Sequence, residues 1–397
     1  MLQQLTSSRR PQLAYVILAS VVAVLLWTRW GGITKGIWID LDVYIRGAAA
    51  VLRHEPLYGV SVQGQPFTYT PFAALFFVPL ELLGNVIARW VLTTASIGCY
   101  LLVVVVCARR LRMTLASAGL VGLAGLAFDP FARNILLGQI NLVLVALVVV
   151  DLFVIPVRYR GILIGLATGI KLVPGAFILF LVLKREWTAA LRSLAAFALT
   201  IGLGAVLAPH DSWQYWSGGF INLSRFGAGA VIRGDNQSLA GAFMRLSRDL
   251  APPTILTLLL SASVMALGLV AAKRQIDSGN DVTGLVCIAV GSLLASPISW
   301  THHWVWVVPL LLLTVSRRWW ITSLGVGTVF FIGPMWAIPI GHFRELDQNW
   351  WQEILGDAYV LVGLSFLIVF ALRRERSQAG RWGGLVERER VGGSLGR

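Results

Sequence analysis

Charge is what this chain of 397 residues has little of. Asp, Glu, Lys and Arg make up 13% of it, about half the share usual for a soluble domain. Hydrophobic residues make up 57%, and the mean hydropathy is +0.74. A soluble globular fold is excluded, and a polytopic membrane protein is implied, for which length says little about domain number. Cysteine is nearly absent. Cys99, Cys107 and Cys287 lie in or at the ends of apolar runs, with no metal-ligand spacing and no evident disulfide framework. No cleavable leader is expected: the first apolar run is long enough to be an anchor, and no convincing small-residue cleavage site follows it. Carboxylates are the scarcer charge, 19 Asp and Glu against 33 Lys and Arg, for a net charge of +14. That balance would suit a nucleic acid. The cations, however, sit in short clusters between apolar runs, where the positive-inside rule puts them, so no nucleic-acid partner is expected.

What is present is a series of apolar runs. Crossing a ~30 Å hydrocarbon core takes about 20 apolar residues, fewer where protein shelters the helix. Candidate segments are 13–29, 87–108, 114–128, 139–155, 161–170, 172–183, 189–208, 251–272, 281–296, 304–316, 321–340 and 357–372. With about twelve crossings and both termini inside, the clusters Arg9/Arg10, Arg109/Arg110/Arg112, Arg158/Arg160, Lys184/Arg185, Lys273/Arg274, Arg317/Arg318 and Arg373/Arg374/Arg376 are all cytoplasmic. The chain then divides into a cytoplasmic N-terminus (1–12), a transmembrane domain (13–372) and a charged, Gly-rich, disordered tail (373–397). The run 69–84 does not fit as a crossing and reads as a helix in the outer leaflet or a short sheltered segment. The run 161–183 begins and ends at cytoplasmic clusters yet is too short for two full crossings, so it reads as a re-entrant pair broken around Lys171 and Pro174. Such breaks are tolerated at membrane depth where they line a protected cavity. No convincing inverted repeat of the kind many transporters carry is found.

This topology sorts the chemistry. All five histidines fall in external segments, as do Asp40, Asp42, Asp129, Asp211, Asp235, Glu345, Asp347 and Glu353. The largest such segments are the first loop, 30–68, and a later loop, 209–250. Cytoplasmic loops are short and basic and carry no Gly-rich phosphate loop or nucleotide fingerprint. Any reaction therefore belongs to the external face, where nucleotide-activated donors are not normally available.

The stretch WIDLDVYIRGAAAVLRHEPLY, residues 38–58, follows the first apolar run and holds Asp40 and Asp42. Either could cap a helix beginning near Val43, since Asp is a favoured N-cap. Two Asp within three residues exceed what a cap needs, and the helix that follows is amphipathic enough to lie along the interface. Lys171 sits deep in an apolar run; it either snorkels or serves function, for example as a point charge for a lipid phosphate. The segment FDPFARNILLGQIN adds Gln139 and Asn141, which could equally serve helix packing. The loop SRFGAGAVIRGDNQSLAGAFMRL offers Arg225, Arg233 and Asn236 to a phosphate or sugar, with Asp235 to Ser238 also reading as a helix N-terminus. His302 and His303 enter a helix from outside; adjacent residues point apart, so they are not a metal pair and only one can face a cavity. Trp300, Trp304 and Trp306 read as an interfacial aromatic belt or as a wall for stacking a sugar.

Together DLDVYIRGAAAVLRHEPLY, FTYTPFAALFFVPLELL, GQINLVLVALVVVDL, GILIGLATGIKLVPGAFILFLVLKREW, DNQSLAGAFMRL and SPISWTHHWVWVVPLLLL occur in one order from about residue 12 to 372. In this the chain resembles glycosyltransferase family 87, the polyprenyl-phosphate-sugar-dependent GT-C group that includes mycobacterial α-1,2-mannosyltransferases. The resemblance implies an all-α, GT-C-like membrane fold with outer-leaflet juxtamembrane helices in the first external loop. It implies a catalytic aspartate in that loop, which falls on Asp40, with Asp42 the alternative. It places the family's lysine on Lys171 and its histidine pair on His302 and His303. Tyr44, Tyr69, Gln139, Asn141 and Trp300 become candidates for the acceptor side or the cavity wall. The implied partners are a polyprenyl-phosphate sugar donor, a glycolipid acceptor and membrane lipid, at the plasma membrane with the active site outside.

A phosphate-linked sugar carries its own leaving group, so one base and a set of cations suffice. No cofactor is predicted; this layout needs no metal, and the external Asp and Glu residues leave a metal requirement open. A lipid or sugar transporter or flippase would also show broken helices and a buried lysine, but it needs a midplane site open to both faces. Here the polar residues are one-sided. A transferase of another sugar, such as arabinofuranose, and a scaffold subunit are the other readings.

Overall fold

The structure, a computed structural model, describes residues 36–373 apart from 60, 228 and 251–253. The expected first crossing, 13–29, and the tail beyond Arg373 lie outside the described residues. Helices α1 (Ile39–Leu52), α2 (Pro71–Leu83), α3 (Asn85–Arg110), α4 (Leu115–Gly125), α5 (Asp129–Leu137) and α6 (Asn141–Phe153) form the first half. There follow α7 (Ile162–Ile170), α8 (Ile178–Leu183), α9 (Trp187–Leu207), α10 (Pro209–Trp216) and α11 (Leu239–Ser247). The last part holds α12 (Thr254–Asp277), α13 (Asp281–Ala295), α14 (Val307–Ser316), α15 (Trp320–Ile332), α16 (Trp350–Gly356) and α17 (Ala358–Leu372). The all-α expectation needs one correction: the first loop contains a hairpin pairing Ser61–Val62 with Gln65–Pro66. Its two turn residues, Gln63 and Gly64, both have positive φ (50° and 77°), the geometry that two-residue hairpins prefer.

Each expected apolar segment within the described residues falls on a helix, but most of these helices are short. Three, α3, α9 and α12, are long and apolar enough to cross a membrane. The number rises to five if the bent pairs α4–α5 (58°) and α16–α17 (69°) each count as one span. The twelve expected crossings are therefore not reached among the described residues. Segment 321–340 stops early because Gly333, at φ 62°, and Pro334 end α15. Short apolar helices are stable here because other helices cover them: nearly every residue of α13 is buried.

Three local devices build the region that matters for function. The first seats α1. Its N-cap, Trp38, is left-handed (φ 54°) and makes no side-chain cap bond. Instead the Ile37 and Trp38 N–H groups both donate to the Leu136 carbonyl, at 3.1 and 3.0 Å. Gly138 ends α5 at φ 72°, and a Cβ there would lie 2.6 Å from the Leu41 side chain, so α1 packs directly on this turn. The second device is the break after α7. Lys171 leaves the helix with extended backbone (φ −144°, ψ 130°), and the chain resumes as a 3-10 turn, Val173–Phe177, that carries Pro174. The Asp151 carboxylate secures the other end of α7 by accepting from the Gly161 and Ile164 N–H groups, at 2.5 and 2.9 Å. Thr70, the N-cap of α2, accepts from Ala73 N–H and donates to the Gly169 carbonyl, tying α2 to the α7 break.

The third device is a strap across Pro297–Thr301. Asn236 donates to the Val231 and Pro297 carbonyls (2.7 and 2.9 Å) and accepts from Ser299 N–H (2.7 Å). Gln237 N–H donates to the Ser299 carbonyl and Thr301 N–H to the Asp235 carbonyl, at 2.9 and 3.0 Å. Beneath it the buried Arg245 donates to the carbonyls of Ile232, Arg233 and Asn236 and pairs with Asp357. Ser238 caps α11, as the sequence suggests. The aromatic-belt reading is corrected for two residues. Trp304 is 2% exposed and packs on Phe330 and Tyr359; Trp306 is 7% exposed and packs on Phe177.

Asn236→Ala removes three hydrogen bonds and leaves the Val231 carbonyl and the Ser299 N–H without partners in the interior, while Pro297 keeps its bond from Ser238. Unfolding free energy should fall by about 3 kcal/mol, read as a lower Tm of the purified protein. The fraction that stays folded should keep its donor KM within about threefold. A raised donor KM with an unchanged Tm would mean that Asn236 contacts substrate rather than holding the strap.

Candidate active site

The three devices converge on a cavity of about 260 Å³. That is near the lower end of the roughly 300–1,000 Å³ usual for small-molecule sites, and suits a headgroup better than a large glycan. Asp40 and Tyr44 line it from α1, with Tyr69 from the segment before α2 and Gln139 from the turn before α6. Lys171 enters at the helix break, and Trp300 and His303 at the strapped segment. Arg225 completes the wall from the large loop.

The helix start decides between the two aspartates. Because α1 begins at Ile39, Asp40 and Asp42 both lie in its first turn and neither acts as its N-cap, which corrects the capping reading. At about 100° per residue they point some 200° apart. Asp40 lines the cavity, whereas Asp42 turns toward α3 and pairs with Arg89 at 3.4 Å. Burial pushes the Asp40 carboxyl up to about 6, against the opposing pull of a Gln139 hydrogen bond and of the Lys171 and Arg133 charges. A carboxylate in that range is a better proton acceptor near neutral pH than an ordinary aspartate.

Gln139 is locked from behind. Its Oε1 accepts from Tyr44 Oη at 2.8 Å and from Tyr69 Oη at 3.2 Å, and the two phenols are themselves 2.7 Å apart. With the carbonyl end so occupied, the amide N–H₂ is the end left for Asp40. Tyr44 is also stacked on Phe77, ring centroids 4.3 Å apart, so this network is rigidly backed.

Lys171 Nζ donates to Asn141 Oδ1 at 2.9 Å and lies 3.0 Å from His303 Nε2 and 5.4 Å from the Tyr69 ring centre. An ammonium has only donors, so His303 Nε2 is the acceptor, and the ring's other side is hydrogen-bonded to the Ile298 backbone. Lys171 is therefore aimed, not snorkelling. Arg225 stacks on Tyr215 and Phe226, 5.3 and 4.8 Å to the ring centres, and its Nε and Nη1 are buried without a partner among the described residues. Buried donors left open on a cavity wall suit an anionic ligand.

Other expected contacts are not brought to the wall. His302 is buried behind it, and its carbonyl accepts from Asn141 and Asn134, at 3.2 and 3.4 Å. Asn141 stands one step back, orienting Lys171. Arg233 is half exposed and forms a two-pronged pair with Asp235, at 2.9 and 3.1 Å, away from the cavity. Asn236 is wholly engaged in the strap. Arg233 and Asn236 are thus corrected from donor contacts to loop scaffold. Sequence reasoning missed the aromatic partners Tyr215 and Phe226; the only signal was their proximity to Arg225 in the same loop. Among the described residues no group of three or more His, Cys, Asp or Glu could hold a metal ion.

A helical, membrane-capable chain with one basic carboxylate facing two cations across a small cavity has the parts of an enzyme that transfers a group from a phosphate-linked donor. The family model for glycosyltransferase family 87 matches residues 67–297. A polyprenol-phosphate-mannose-dependent α-(1-2)-phosphatidylinositol mannoside mannosyltransferase of Mycobacterium tuberculosis is 33% identical over 366 residues, 84% of each chain. Its namesake from Mycolicibacterium smegmatis is 32% identical over 88% of each. A polyprenol-phosphate-mannose-dependent α-(1-2)-phosphatidylinositol pentamannoside mannosyltransferase of Mycolicibacterium smegmatis is 30% identical over 94% of each. No solved structure matches. The chain belongs to glycosyltransferase family 87 and is a glycosyltransferase.

Two measurements follow from this geometry. If Asp40 is the base, its carboxylate form is the competent one, and transferase activity should fall as pH drops through about 6. Gln139→Ala removes a hydrogen bond that holds the carboxyl down, so the limb should move to higher pH. A limb that stays in place, or moves down, would separate Gln139 from the base. Separately, His303→Ala should raise the donor KM or lower turnover at least 10-fold, the cost of one charge-assisted contact. His302→Ala should act mainly on stability. Equal kinetic effects of the two would contradict this placement.

Proposed function

We propose that this chain transfers a mannosyl group from a polyprenyl-phosphate donor to a hydroxyl of a phosphatidylinositol-mannoside-type glycolipid, forming an α-1,2 linkage. The observation that carries the reading is that one carboxylate, Asp40, and the cations Lys171 and Arg225 line the same cavity. The donor and acceptor classes are supported by the printed activities of the relatives, which align over most of both chains.

In this reading the acceptor oxygen attacks the anomeric carbon while its proton passes to Asp40. The bond from that carbon to the phosphate oxygen breaks, and the electron pair leaves with the polyprenyl phosphate. Lys171 and Arg225 neutralise the charge that grows on the departing phosphate, and they do so best in a small, largely desolvated cavity. The phosphate needs no proton to leave, so the acid half of a glycosidase carboxylate pair has no counterpart here. Attack opposite the leaving group inverts a β-linked donor to an α product. Trp300 and Tyr69 supply flat walls for the sugar. The same reading sets the protein as a multi-pass plasma-membrane enzyme, cavity outside and both termini cytoplasmic. Its support is the one-sided distribution of basic clusters, such as Arg317/Arg318 at the end of α14 opposite His303.

The experiment is an assay of purified protein with radiolabelled polyprenyl-phosphate mannose and phosphatidylinositol mannosides, with linkage analysis of the product. Asp40→Asn should lower turnover by about 10²–10⁴-fold while the donor still binds. Asp42→Asn should cost less than about fivefold, because its partly exposed pair with Arg89 contributes under about 1 kcal/mol. Lys171→Ala should weaken donor use by roughly 10- to 150-fold, and Lys171→Arg should not restore it fully. An active Asp40→Asn beside a dead Asp42→Asn would overturn the assignment of the base. No transfer to any mannoside would overturn the acceptor class.

A further inference from the structure

A second cavity, about 740 Å³, opens between α14, α15 and α17. It shares no lining residue with the active-site cavity. His303 precedes α14, whereas Arg317 and Arg318 follow its last residue. α17 starts where Tyr359 N–H donates to Gln237 and ends at the groove, and its 15 residues span about 22 Å. The groove runs along α14 and α17, and its arginine rim lies at the ends of these helices opposite His303 and Tyr359.

Its body is apolar, walled by Val326, Leu361, Phe366 and Val369. Its rim is cationic and aromatic. Arg318 and Arg373 are exposed there, and neither guanidinium has a hydrogen bond or carboxylate partner among the described residues. Trp319 forms the platform between them: Arg373 stacks 4.4 Å from its ring centre and Arg317 5.5 Å. The exposed Trp320 beside it offers an amphipathic ring at the level where tryptophans favour headgroups. Among the described residues no Asp or Glu lines the cavity. A zwitterionic headgroup would find a partner for its phosphate but no carboxylate for its ammonium. A net-negative headgroup finds both unpaired guanidinium groups and an apolar trench for its chain, the arrangement by which basic pockets between membrane helices take anionic lipids.

We propose that this groove binds one anionic phospholipid, with its phosphate between Arg318 and Arg373 and an acyl chain along Val326, Leu361 and Phe366. The site is separate from the donor cavity and stands independently of the assigned reaction.

The test uses full-length protein in phosphatidylcholine nanodiscs doped with a phosphatidylglycerol that carries a photoactivatable acyl chain, with labelled peptides mapped by mass spectrometry. Labelling should fall on the Ile321–Val326 and Leu361–Val369 peptides. Excess unlabelled phosphatidylglycerol should compete; phosphatidylcholine and inorganic phosphate should not. The double variant Arg318→Gln/Arg373→Gln should lose on the order of 10-fold in yield. Val326→Trp, which fills the groove without touching charge, should lose labelling too. Equal competition by phosphatidylcholine, or full labelling of the double variant, would overturn the proposal. Competition by inorganic phosphate would reduce it to a free-phosphate site and overturn the lipid. Cross-linking of a cysteine at Val326 to residues 13–29 would show the chain's own apolar run in the groove and overturn it as well.

Discussion

A lysine amine inside an apolar protein must be held by polar partners, and Lys171 is the point on which the site depends. The chain leaves α7 in extended conformation there, so the side chain enters a cavity instead of following a helix face. Asn141 and His303, from two other elements, take its hydrogen bonds. That single cation therefore couples the α7 break, the start of α6 and the strapped segment before α14. Its charge also bears on Asp40, which arrives from the first loop.

Around this point the protein spends its buried polar groups on positioning. Gln139 is fixed by two tyrosines, so that its amide serves Asp40. Asn236, Gln237 and Arg245 have almost all their capacity committed to backbone carbonyls and N–H groups, which hold Trp300 and His303 in place. The result is a rigid carboxylate-to-cation arrangement on short, sheltered helices. Preorganised charge of this kind is where enzymes gain most over water. The segment between α10 and α11 adds Arg225, stacked between aromatic rings, as a donor open to an anion.

Much of this was legible in the sequence, and the failures have identifiable causes. The α7 break could be read because a lysine and a proline interrupt a run too short for two crossings. The weight on Asp40, Lys171 and His303 came from family motifs, and the structure brings those three residues to one cavity. Choosing between Asp40 and Asp42 required the first residue of α1, which Trp38 sets through bonds to Leu136, distant in sequence. Asn236 was misread because a polar residue in a motif looks the same whether it holds a ligand or a loop; its partners at Val231, Pro297 and Ser299 appear only in the tertiary fold. Trp304 and Trp306 were assigned to a belt because an aromatic-rich helix entry looks interfacial until Tyr359 and Phe330 are packed over it. The count of crossings is not confirmed among the described residues, because hydropathy registers apolar runs regardless of whether they face lipid or protein. Tyr215 and Phe226 were signalled only by lying near Arg225 in the sequence, since cation stacking depends on loop geometry.

The most direct test is an experimental structure of the Asp40→Asn protein with the polyprenyl-phosphate mannose donor bound. The expected result is a donor phosphate in the cavity, within hydrogen-bond reach of Lys171 Nζ and the Arg225 guanidinium. The face of the anomeric carbon opposite the phosphate should be turned toward residue 40, with room for an acceptor hydroxyl between them. A donor phosphate seated away from Lys171, or a sugar whose reacting face looks away from residue 40, would contradict the assignment of base and cation on which the rest is built.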